Sequence, residues 1–138
     1  MALRAIVAAA GGLALILTCG TASAQSVRLL GDHSAWSSYA ASDAQGTICF
    51  ALTKPTETSP TPEGYAQGYL YVTHRPAEGV RNETNLVAGF DLAPESVAVA
   101  SVGGANYTLF AQGDAAWLDD PSQGENLASA IRAGSPLT

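Results

Sequence analysis

The 138-residue sequence has few cysteines, histidines and basic residues. It contains two cysteines, two histidines and six lysines and arginines, against 12 acidic residues. Zinc sites use three or four His, Cys or carboxylate ligands at characteristic spacings, and neither His33 nor His74 stands in such a pattern. Nucleic acids and anionic membrane surfaces favour clustered Lys and Arg. The composition therefore predicts no metal and no nucleic-acid or anionic-membrane partner.

The sequence also lacks an apolar run long enough to cross a bilayer, which takes about 20 residues. The apolar run at residues 5–17 has 13 residues, two of them glycines. A basic residue precedes the run, and Ala22-Ser23-Ala24 follows it as a small-x-small cleavage motif. These features are typical of a secretory signal peptide. We therefore expect residues 1–24 to be removed between Ala24 and Gln25, which leaves no segment inserted in the membrane.

Cleavage leaves residues 25–138, a length that suits one domain with a modest core. This part has five basic against 12 acidic residues, a net charge of −7. The acidic residues are scattered, which is the pattern of a solvated surface. Cys19 leaves with the signal peptide, so Cys49 is the one remaining cysteine. An odd cysteine in an exported protein indicates an intermolecular disulfide or a free thiol, and one expectation is a dimer linked through Cys49.

Residues 25–138 have the pattern of an all-β protein. Short segments rich in Val, Tyr, Thr and Phe alternate with Gly, Pro, Asn and Asp. The predicted strands are residues 36–40, 47–53, 68–74, 84–90, 96–102 and 105–110, followed by a short strand that ends at Trp117. We predict an antiparallel sandwich or small barrel-like fold with one short C-terminal helix, and a buried Cys49 in the second strand.

Local signals place the turns and the helix. Gly103-Gly104 supplies the positive φ angles of a two-residue hairpin turn, and it precedes a strand, so it is not a phosphate-binding loop. We expect no cofactor. Asp120, followed by Pro121, is typical of a helix start, and Gly134 of a helix end. Residues 54–64, with three prolines, predict an exposed loop.

Few residues stand out as candidates for function. Arg75 and Glu83 border strands and can form an ion pair across a connection, although a surface pair that contributes little is the competing interpretation. Asp119 and Asp120 are better explained as a helix start than as an acid/base pair. Trp117 fits core packing better than ligand binding. The sequence nominates no catalytic residues, although a Ser/His/Asp set assembled from distant positions stays open.

Seven segments occur in an order that is found in a known family. They are Trp36, "CFAL" at 49–52 before the proline-rich loop, "YVTHRP" at 71–76, "RNET" at 81–84, "AGF" at 88–90, "VGGANYTLF" at 102–110 and "GDAAW" at 113–117. In these segments the chain resembles the invasion-associated locus B family, over residues 31–134. The resemblance implies a β-rich, exported bacterial protein of the cell envelope, linked to invasion of host cells such as red blood cells, and it brings no catalytic residues.

The chain differs from the family in two respects. Many members have a cysteine where this chain has Tyr39. Similar members also continue past the helix with a strand pair and a segment containing a cysteine, whereas this chain ends at Thr138. The resemblance therefore implies that the disulfide partner of Cys49 is absent and that the domain is incomplete at its C-terminal end.

The expected function is that of a non-enzymatic interaction protein in the periplasm or at the outer surface, with a protein or a host-cell surface as partner. The interaction surface is expected in the loops at 54–64 and 75–84, with Arg75, Arg81 and Glu83 as interaction or structural residues. Three alternatives stay open: an envelope-maintenance protein, an envelope hydrolase or its inhibitor, and a truncated fragment without function. A pocket that joins His74 to a carboxylate and a serine would favour the enzyme.

Overall fold

One antiparallel sheet of eight strands forms the body of the protein in the computed structural model, which describes residues 26–138. The strands are β1 (Val27–His33), β2 (Trp36–Ser42), β3 (Thr47–Thr53), β4 (Tyr69–Arg75), β5 (Val80–Val87), β6 (Val97–Val102), β7 (Ala105–Gln112) and β8 (Ala115–Leu118), and one helix follows, α1 (Gly124–Arg132). The all-β antiparallel fold with a short C-terminal helix is confirmed. The predicted signal peptide, its cleavage site and Cys19 lie outside the described residues.

The strand order is β1-β2-β3-β4-β5-β8-β7-β6, so β1 and β6 form the two edges. The pairing gives one continuous sheet, whereas the sequence left a sandwich and a barrel-like arrangement open. Strand β1 was not predicted, because its apolar pattern is broken by the adjacent Leu29 and Leu30. The pairing of β1 with β2 shifts by one residue between Leu29 and Gly31, and this bulge explains the broken alternation.

The turn and cap residues act as the sequence predicts. Gly103 and Gly104 have φ angles of 59° and 79° and join β6 to β7 in a tight hairpin. The Asp120 carboxylate accepts a hydrogen bond from the backbone N–H of Ser122 at 3.0 Å. A single 3₁₀ turn, Pro121–Gln123, comes before the α-helix, so α1 begins three residues later than Pro121 suggests.

The hydrophobic core lies on one face of the sheet, between α1 and strands β6, β7 and β8. Side chains that lie opposite each other in an antiparallel pair share a face, and neighbours along a strand lie on opposite faces. Leu127 of α1, which has no exposed surface, packs on this face. The buried cluster consists of Ala100, Val102, Tyr107, Leu109, Ala116, Leu118 and Leu127. We call this side of the sheet the helix face.

Asn82 in β5 joins the sheet to the start of α1. It has a left-handed backbone (φ 51°), which Asn adopts more readily than most residues, and is only 6% exposed. Its side-chain amide donates to Glu125, and its backbone N–H donates to Nδ1 of His74 at 3.3 Å. A Cβ atom on Gly124 would lie 2.7 Å from the Asn82 carbonyl oxygen. The helix therefore approaches the strand closely because residue 124 has no side chain.

This contact predicts that Gly124→Ala destabilises the protein. The added methyl group has to displace backbone atoms, so we expect a loss of about 1–3 kcal/mol in the free energy of unfolding, measured by urea denaturation with far-UV circular dichroism. The control is Asn126→Ala, an exposed position of the same helix, where alanine raises helix propensity. Equal stability of Gly124→Ala and the unmodified protein would contradict the close approach.

Candidate functional site

Six aromatic side chains lie on the sheet face opposite α1. They are Tyr39, Phe50, Tyr69, Tyr71, Phe110 and Trp117. The register places them there: Tyr71 lies opposite Asn85, Asn85 opposite Trp117, and Trp117 opposite Phe110. We call this surface the aromatic face.

The rings of the aromatic face contact one another in two groups. Across β2, β3 and β4, the ring centroids of Tyr39 and Phe50 are 5.2 Å apart and those of Phe50 and Tyr71 are 6.2 Å apart. The ring of Tyr69 is 6.1 Å from that of Tyr71. Across β7 and β8, Phe110 and Trp117 stack at 6.0 Å. These spacings are those of favourable aromatic pairs, so the rings hold each other in fixed positions.

The aromatic face remains accessible to solvent. Five of its six aromatic side chains are half-buried, and Phe110 is 44% exposed. The edge strands add apolar side chains to the same face, because Leu29 lies opposite Tyr39 and Val97 opposite Phe110. The exposed members at the edges are Val27, Leu29, Val97 and Val99. Exposed apolar side chains gathered on one face in this way are typical of interaction sites.

An ion pair lies at one end of the aromatic face. The Arg75 guanidinium donates two parallel hydrogen bonds to the Glu83 carboxylate, at 2.9 and 2.7 Å, and approaches Glu78 at 3.4 Å. The hydrogen bond with Glu83 is the main cause of a raised Arg75 pKa. The predicted Arg75–Glu83 pair is confirmed. Arg81 is exposed and forms no ion pair within residues 26–138.

The proline-rich loop at 54–64 lies at the other end of the aromatic face. The exposed Lys54 places its ammonium group 5.7 Å from the centroid of the Tyr69 ring. The Tyr65 hydroxyl accepts hydrogen bonds from Thr58 at 3.3 Å and from the Gly68 N–H at 3.1 Å. Both bonds lower the pKa of Tyr65, and the bond from Thr58 has the larger effect. The predicted loop at 75–84 is wrong: these residues are the end of β4, the turn Pro76–Glu78 and the start of β5, because the chain turns back within four residues and pairs again. This segment and the loop at 54–64 lie at opposite ends of β4, with the aromatic face between them.

A cleft of about 440 Å³ opens beside the Tyr69 end of the face. Its lining includes Val87, which lies opposite Tyr69, together with Phe90 and the carboxylate side chains of Glu63, Asp91 and Asp114. Two loops meet here: the Ala66 N–H donates to the Gly89 carbonyl at 2.7 Å, and a Cβ on Gly89 would lie 2.3 Å from the Ala66 oxygen. Sequence reasoning missed this cleft, because its residues come from separate loops. The glycine of "AGF" was its one local signal.

Two expectations about single residues are wrong. Trp117 does not pack in the core but lies half-buried on the aromatic face. Cys49 lies in a strand, as predicted, but it is half-buried rather than buried, because α1 lies over the part of the sheet from β5 to β6 and not over β3. Cys49 lies opposite His74 in the β3–β4 register. Within the described chain, the hydrogen bond of His74 is with the Asn82 N–H and joins it to no serine or carboxylate.

Within residues 26–138, no group of three or more His, Cys, Asp or Glu side chains is placed to hold a metal ion. No helix in this described part is long and apolar enough to cross a membrane. Comparisons with protein-family models, curated proteins and solved structures found no match to this chain. The resemblance to the invasion-associated locus B family therefore stays a prediction.

The bidentate geometry predicts measurable coupling between Arg75 and Glu83. Both side chains are partly exposed, at 26% and 34%, so solvent weakens their attraction. In a double-mutant cycle of Arg75→Met and Glu83→Gln, we expect a coupling free energy of about 1 kcal/mol at low salt, decreasing as salt is added. The measurement is urea denaturation of the four proteins. Additive effects of the two substitutions would contradict a stabilising pair.

Proposed function

We propose that this chain is an exported, non-enzymatic interaction protein of the bacterial cell envelope, which binds a protein partner through the aromatic face. The observation that supports the proposal most is the position of the six aromatic side chains, on the sheet face that α1 does not cover. Aromatic side chains of five inner strands and apolar side chains of both edge strands lie on this face, with β5 between the two groups of rings.

The chemistry of the face suits protein recognition. Tyrosine, tryptophan and phenylalanine are enriched in protein interfaces, and they carry much of the binding free energy where they become fully desolvated. Rings that stack on their neighbours across strands lose little conformational freedom on binding, because they are already ordered. The aromatic face is therefore already ordered before binding, and a partner that covers its half-buried rings would gain the free energy of burying the rest of their surface.

The cellular setting rests on the sequence. The signal peptide predicted at residues 1–24 favours export to the periplasm or the outer surface, and the resemblance to the invasion-associated locus B family favours an envelope or host-cell partner. The loop at 54–64 and the segment at 75–84 border the binding surface in this proposal and do not form it. Envelope maintenance and host-cell attachment would use the same surface. Binding measured separately with bacterial envelope fractions and with red blood cells distinguishes the two roles.

A matched pair of tryptophan substitutions tests the proposal. Trp117 lies on the aromatic face, whereas Trp36 is half-buried on the helix face, opposite Thr53. We expect Trp117→Ala to weaken binding of the exported chain about tenfold or more, because it removes a central ring, and Trp36→Ala to change it little. The measurement is co-sedimentation of labelled protein with bacterial envelope fractions and with red blood cells, after circular dichroism has shown that both variants fold.

Equal binding by the two variants, with either material, would contradict the aromatic face as the binding surface. Binding to envelope fractions alone would support an envelope-maintenance role. Binding to red blood cells would support host-cell attachment.

A further inference from the structure

We propose that the partner of the aromatic face is a basic polypeptide segment, whose lysine and arginine side chains lie over the tyrosine rings. This inference rests on the proposed function, because it names the partner of the same surface. Three observations support it: the position of Lys54, the charges around the face, and the spacing of the rings.

The protein already places one of its own cations on this face. The Lys54 ammonium lies 5.7 Å from the Tyr69 centroid, within the roughly 6 Å over which a ring attracts a cation. Lys54 is exposed and forms no ion pair within residues 26–138, so no carboxylate partner explains its position. Its side chain occupies the place that a cation of a partner would take. Among the residues that the structure describes, no cation lies over the neighbouring rings of Tyr71, Phe50 and Tyr39.

The charges around the face favour a cationic partner. Residues 26–138 contain five basic and 12 acidic residues. Arg75, at one end of the face, is neutralised by Glu83 and Glu78. At the other end, the cleft that continues from Val87 is lined by Glu63, Asp91 and Asp114, none of which is ion-paired within the described residues.

The charged groups named here therefore carry a net negative charge, and Lys54 is the unpaired basic residue that the described structure places over a ring of the face. Such a surface attracts basic segments and repels nucleic acids and acidic peptides. Complementary charge also speeds the encounter between partners, so salt should weaken the binding.

The ring spacing matches an extended segment. Tyr69 and Tyr71 are alternate residues of β4, and their ring centroids are 6.1 Å apart. In an extended chain, side chains that point the same way recur about every 6.6–6.8 Å, which is two residues of strand rise. Basic residues at alternate positions of an extended segment that runs along β4 can therefore lie near Tyr69 and Tyr71, while the residues between them face solvent.

The probe for this inference is a fluorescein-labelled, eight-residue peptide of alternating arginine and threonine, with a glutamate–threonine peptide as its control. We expect the arginine peptide alone to bind the exported chain in fluorescence anisotropy at low ionic strength. Replacing Tyr69 or Tyr71 by leucine keeps apolar surface but removes the aromatic ring. Each change should weaken binding about two- to fivefold, the effect of one exposed cation–π contact.

A charge-matched pair of variants separates a contact at the rings from long-range attraction. Lys54→Gln and Arg81→Gln remove the same charge from exposed positions, but only Lys54 lies over a ring of the aromatic face. We expect Lys54→Gln to tighten binding of the arginine peptide about two- to fivefold more than Arg81→Gln does, because it removes the internal competitor for Tyr69. Both positions are exposed, so neither change threatens folding.

The outcomes distinguish this inference from the proposed function. Equal effects of Lys54→Gln and Arg81→Gln, or equal binding of the two peptides, would overturn the basic partner. The proposed function would still stand if Trp117→Ala lost binding to envelope fractions or cells. If Trp117→Ala left that binding unchanged, the proposed function would fail, whatever the peptides did.

Discussion

The contact between Asn82 and the first turn of α1 sets where the helix lies on the sheet. The left-handed backbone at Asn82 turns its side-chain amide toward Glu125, and the missing side chain at Gly124 lets the helix approach the strand. Once this contact forms, Leu127 is fixed over the core. The nine-residue helix α1 covers only part of one face of the sheet. Alternate side chains of the same strands point to the opposite face, which no helix of the described chain covers.

The uncovered face has a physical consequence for function. Burial of apolar surface contributes roughly 25 cal/mol per Å², and rings that are half-buried in the free protein have realised only part of this free energy. The remainder becomes available when a partner covers the face. The stacked rings and the Arg75–Glu83 pair hold the surface in a defined shape, so little ordering has to accompany binding.

Sequence reasoning succeeded where structure is set by near neighbours along the chain. The hairpin at Gly103-Gly104, the cap at Asp120 and the strand at residues 47–53 follow from local turn, cap and strand preferences. It failed where the pairing register between distant strands decides which face of the sheet a side chain lies on. Trp117 was expected in the core because its immediate neighbours are small and apolar, but pairing with Asn85 and Phe110 places it on the opposite face. The same dependence on register hid the row of rings across β2, β3 and β4.

The most direct test of the proposed surface is hydroxyl-radical footprinting of residues 25–138, alone and with the envelope or cell fraction that co-sediments with them. Tyr107 lies in the core, at 7% exposure, and serves as an internal reference for Tyr39, Tyr69 and Tyr71. The account predicts that these three tyrosines are modified faster than Tyr107 in the free protein and become protected on binding. Tyrosines of the aromatic face that react as slowly as Tyr107 in the free protein, or that keep their reactivity in the complex, would contradict it.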